Sequence, residues 1–135
     1  MTQFPSSVKQ EFFAWADGVL GEPLPEGTVA FHFNLYEGTD SVHVQLIGTE
    51  SFVPGEVPER DYAPGVETFS TGENIFEIPF AAAGTVWRDW LKTSIEMVES
   101  YIATGPKSNV LRASKGVGIG FVDGDMHILW QPVVA

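Results

Sequence analysis

Apolar and polar positions along the chain divide it into two helical and several alternating segments. Over residues 6–20, Val8, Phe12, Trp15, Ala16 and Val19 recur at three- and four-residue spacing, which predicts an amphipathic helix. Ser7-x-x-Gln10 fits a capping box at its start, and Gly21 and Pro23 stop it. Residues 22–27 (Glu-Pro-Leu-Pro-Glu-Gly) then read as a stiff connector.

Thr28–Tyr36 and Ser41–Gly48 alternate with period two around Glu37-Gly38-Thr39-Asp40, which predicts a β-hairpin. With Tyr36 opposite Ser41, Phe31 faces Leu46, Phe33 faces Val44 and Leu35 faces Val42. His32, Asn34, His43 and Gln45 then share the opposite, polar face.

Residues 49–74, with Pro54, Pro58 and Pro64, read as a long irregular acidic loop, with strand only around 66–70. Ile75–Phe80 is a short strand whose Pro79 belongs at a sheet edge. The second helix spans about 85–104. Val86, Trp87, Trp90, Leu91, Ile95, Val98, Tyr101 and Ile102 form its apolar face, and Gly105-Pro106 ends it. A final hairpin pairs Gly116–Val122 with Asp125–Trp130 around Asp123-Gly124. There, Val117, Ile119 and Phe121 should share a face with Met126, Ile128 and Trp130, leaving Gly118 and Gly120 with His127. The order predicts a single α+β domain over 1–135: an antiparallel sheet of about five strands with two helices packed on it.

Composition narrows the function classes. The chain has 135 residues, no cysteine and a net charge of −11. Residues 1–83 hold 13 acidic and 2 basic side chains, while 84–135 are balanced at 5 and 5. Such a field disfavours nucleic acid and anionic membranes, which demand cationic groups. It favours a basic protein as partner. No apolar run reaches the roughly 18 residues of a membrane span, and the start lacks a secretory pattern. With no cysteine, a cytoplasmic location is expected.

Candidate chemistry is sparse. His32 and His43, as diagonal neighbours on the polar face, could join Glu37 or Asp40 around a metal. Two strand histidines turned to solvent account for the same letters, and no metal or cofactor is expected. Asp123-x-Asp125-x-His127 resembles a ligand cluster but is explained by the Asp-Gly turn. Gly116, Gly118 and Gly120 do not open a helix, so they are no dinucleotide fingerprint. Val117 and Ile119 stand where an RNA-binding strand needs aromatic residues. What remains is a glycine-lined face that another backbone or a ligand can approach. Neither Gly-x-Ser-x-Gly nor a thiol is present for nucleophilic catalysis. Glu77, between Phe76 and Ile78, should point outward, and Trp15, Trp87, Trp90 and Trp130 should be core.

The leading expectation is a non-enzymatic acidic protein-binding module, with immunity and antitoxin proteins that block basic nucleases as one class of this charge logic. Glu56, Glu59, Asp61, Tyr62 and Glu67 are its expected contact residues. One alternative is a small-molecule or metal-binding protein or enzyme using the polar face of the first hairpin. Another is a self-associating subunit, such as a homodimer, joined through residues like Phe52 and Phe69.

Overall fold

The computed structural model describes residues 6–57, 60–64, 66–122 and 126–132. Among them the chain forms α1 (Ser6–Leu20), β1 (Ala30–Glu37), β2 (Ser41–Thr49), β3 (Phe52–Val57), β4 (Arg60–Pro64), β5 (Glu67–Ser70) and β6 (Phe76–Pro79). Then follow α2 (Phe80–Ala83), α3 (Trp87–Thr104), α4 (Ser108–Arg112), β7 (Val117–Phe121) and β8 (His127–Trp130). The architecture is α+β. Its main sheet has six strands in the order β5-β2-β1-β7-β8, and β6 also pairs with β2. A separate two-stranded sheet joins β3 and β4.

The sheet is mixed rather than antiparallel, because β1 and β7 run parallel. The connection explains it. Strand β6 is antiparallel to β2 and so runs with β1. The chain leaves its end through three helices and re-enters on the far side of β1, and a helical crossover of this kind returns a strand in the same direction. The two small helices α2 and α4 lie within this crossover, beside the two long ones expected.

One sheet face carries the core. Phe31, Phe33, Leu35, Val42, Val44, Leu46, Phe76, Ile78, Val117 and Ile119 are buried there under α1 and α3. Phe12 of α1 is fully buried, with ring contacts to Phe76 (5.3 Å, edge-on), Tyr101 (6.2 Å, edge-on) and Phe33 (6.3 Å). Burial of such rings supplies the largest apolar areas in a small core. Met97 of α3 is fully buried beside Val98.

The first helix starts at Ser6, and the capping-box side chain of Ser7 lies outside the described residues. The stretch 49–74 is not an irregular loop: β3, β4 and β5 cross it. Strand β5 falls in the expected 66–70 stretch, whereas prolines concealed β3 and β4, since Pro54 and Pro64 sit in a hairpin of only two strands, where a missing amide is tolerated.

The first hairpin is shifted by two residues from its expected register. Tyr36 lies opposite His43, Phe33 opposite Leu46 and Leu35 opposite Val44. The turn tightens to Gly38–Ser41, closed by the Gly38 N–H donating to Ser41 O at 2.8 Å. A two-residue shift preserves the faces, so the core assignment stands while the neighbours change. In the last hairpin, Val117 faces Trp130 but Gly118 faces Ile128 and Ile119 faces His127. The register skips Leu129, and this bulge puts His127 across from Ile119 instead of among the glycines. The Asp123-Gly124 turn and Asp125 lie outside the described residues.

Trp87, expected in the core, lies outside it. It is 53% exposed and Val86 52%. Trp90 closes this end of the core, stacked on Phe80 at 4.7 Å with its Nε1–H donating to Gly84 O at 2.9 Å. That leaves the first turn of α3 outside it. Trp15 and Trp130 are half-buried.

Candidate functional site

The face of the sheet opposite the helices gathers the polar side chains. Its rows follow from the register: Tyr36, His43 and Glu77 in one, Asn34 and Gln45 in the next, His32 and Ile47 in the third. Asn34 Nδ2–H donates to Gln45 Oε1 at 3.1 Å, and the Tyr36 hydroxyl donates to the same oxygen at 3.2 Å. Gln45 Nε2–H donates to Gly72 O at 3.2 Å, tying the β5–β6 turn to the sheet. The network is therefore self-satisfied, which gives it a structural role.

At the sheet edge, the Ser41 hydroxyl donates to Glu77 Oε1 at 3.0 Å and His43 Nε2 lies 3.4 Å from the same oxygen. Glu77 points outward as alternation requires, with its side chain 59% exposed. Serine, histidine and carboxylate are thus adjacent, but not in catalytic order. Activation of a hydroxyl needs the serine to donate to the imidazole, whereas here both groups converge on the carboxylate.

The two histidines of the first hairpin do not form a pair. His32 is aligned with Ile47, four residues along β2 from His43, which is roughly 14 Å at strand rise. Among the described residues no group of three His, Asp or Glu side chains could hold a metal ion. His32 is 2% exposed, between Ile47 of β2 and Gly118 of β7. Burial pushes its pKa down to about 4, and a side-chain hydrogen bond with Asn34 opposes that shift.

At Gly116 the glycine-lined face is covered by the chain itself. A Cβ on Gly116 would collide with the Phe52 ring at the head of β3, and β4 runs close to β8. Phe69 likewise covers Gly48 and meets Phe31 edge-on at 6.3 Å. Phe52 and Phe69 are both half-buried, packed over Gly116 and Gly48.

The expected contact residues fall on the hairpin and the strand after it. Glu56 is carried by β3, and Asp61 and Tyr62 by β4, with Tyr62 opposite Pro54. Their side chains, and Glu59 altogether, lie outside the described residues. Glu67 opens β5 opposite Thr49 and is exposed. Glu22, Glu26, Glu37, Asp40, Glu50 and Glu73 are exposed too. Among the described residues no carboxylate is paired with Lys or Arg, and the one ion pair is His43–Glu77.

On the helical side, a surface groove of about 450 Å³ is lined by Lys9, Gln10, Phe13, Ala14 and Asp17. Beside it the Tyr101 hydroxyl donates to Asp17 Oδ1 at 2.6 Å and accepts the Lys107 N–H at 3.1 Å. Burial, then the hydrogen bond to Asp17, pushes the phenol pKa up. This is a clamp between α1 and the end of α3, and the helical stripe had marked Tyr101 only as core. No protein-family model, curated protein or solved structure matches the chain. No helix among the described residues is long and apolar enough to cross a membrane.

Proposed function

We propose that the protein is a non-enzymatic, acidic protein-binding module that holds a basic protein partner, in the manner of an immunity or antitoxin protein. The observation that carries this reading is the uncompensated surface: the exposed carboxylates of the first 83 residues have no Lys or Arg partner among the described residues. Unpaired surface carboxylates retain their field for an incoming cationic protein, speeding association and rejecting acidic competitors. The separation of His32 from His43 and the closed network on Gln45 weigh against a ligand or metal site on the polar face.

Affinity capture from a lysate of the source cells, washed at rising salt, tests the proposal. One basic protein retained at low salt, with an association rate that falls as salt rises, is the expected result. Retention of only acidic or neutral proteins, indifferent to salt, contradicts it.

A further inference from the structure

Val86 and Trp87 stand out as adjacent, half-exposed apolar residues that the fold does not use. Trp90 already closes the core beneath them. Asp89, two residues on, is held against Gly84 and accepts the Thr85 N–H at 3.3 Å. The β1–β2 turn reaches the same end of the molecule, because Asp40 O accepts the Phe80 N–H at 3.1 Å and Phe80 stacks on Trp90. That turn brings exposed Glu37 and Asp40. Arg88 lies over the Trp87 ring at 5.5 Å, so the indole already accepts a guanidinium on its π-face.

From this juxtaposition we infer that the end of the molecule bearing Val86 and Trp87 is a docking face for a basic protein segment that carries an aliphatic or aromatic anchor. The inference rests on the basic-partner reading above and adds a second contact to it. Charge complementarity selects the occupant. At this end Glu37, Asp40 and Asp89 stand against Arg88 and Lys92, and a second copy would add its own net charge of −11. An exposed tryptophan ringed by charge has the composition of an interface hot spot, where an apolar centre supplies affinity and the rim supplies selectivity.

Two synthetic peptides of equal positive charge test it: an arginine-rich peptide with two leucines, and its counterpart with serines in their place. Titrations at about 0.15 M salt are followed by the backbone amide and indole Nε1–H signals of the labelled protein. The leucine peptide is expected to bind about five-fold or more tightly, with the largest shifts at the Trp87 indole and at residues 85–89. Trp87→Ser should abolish that preference and leave the serine peptide unchanged, while Trp87→Phe should keep most of it. Equal affinities for both peptides in wild type and Trp87→Ser, or shifts centred elsewhere, overturn the docking face and leave the basic-partner reading standing. Concentration-dependent shifts at Trp87 without peptide also overturn it, in favour of a second copy. Binding of neither peptide even at low salt overturns the underlying reading as well.

Discussion

His32 gives the fold a titratable weak point whose size follows from its position. The side chain is buried between β2 and β7, and its pKa falls from 6.5 to about 4. The unfolded chain therefore takes up a proton at a higher pH than the folded one. The stabilising contribution is complete above pH 6.5 and is lost as the pH falls from 6.5 towards 4. Between pH 7 and pH 5 the loss is about 2 kcal/mol, and the full shift is worth about 3 kcal/mol. Urea unfolding followed by circular dichroism should show a midpoint roughly 1 M lower at pH 5 than at pH 7. His32→Gln removes the titration and should flatten that dependence, although it is less stable at pH 7. The difference between the two proteins cancels the carboxylates, which both share. An NMR titration placing the His32 imidazole near 6.5, or the same pH dependence in wild type and His32→Gln, would refute the reasoning.

Three further outcomes follow from the packing. Tyr101→Phe deletes the clamp to Asp17 and the acceptor of the Lys107 N–H, and should lower stability by about 1–2 kcal/mol in the same urea assay. Gly116→Ala forces the Phe52 ring away and should cost about 1–3 kcal/mol, and a neutral result would mean that β3 does not sit on β7. Trp90→Ala should cost about 3–5 kcal/mol, whereas Trp87→Ser, at an exposed position, should change stability by less than about 0.5 kcal/mol.

What could be read from the sequence was whatever depends on periodicity. Phe31, Phe33 and Leu35 with Val42, Val44 and Leu46 fall on one face in any register that differs by two residues, so the core was legible while the partners were not. The error mattered for chemistry, because the same shift moves His43 from beside Asn34 to beside Tyr36 and dissolves the supposed histidine pair. A bulge at Leu129 has no composition signature and reversed the side on which His127 lies. Prolines and acids hid β3 and β4, whose pairing is settled by long-range contact rather than by local propensity, while β5 falls where strand was expected around 66–70. Helical spacing alone could not distinguish Trp87 from Trp90, since only the end of the sheet and Phe80 decide where the core stops.

Attraction of a basic partner by unpaired carboxylates is read from the association rate of that partner as salt is varied. Wild type should associate faster at low salt. Combined reversal of Glu56, Glu59 and Asp61 to lysine should slow association by about ten-fold there, with little change at high salt. An unchanged association rate at low salt would contradict the account.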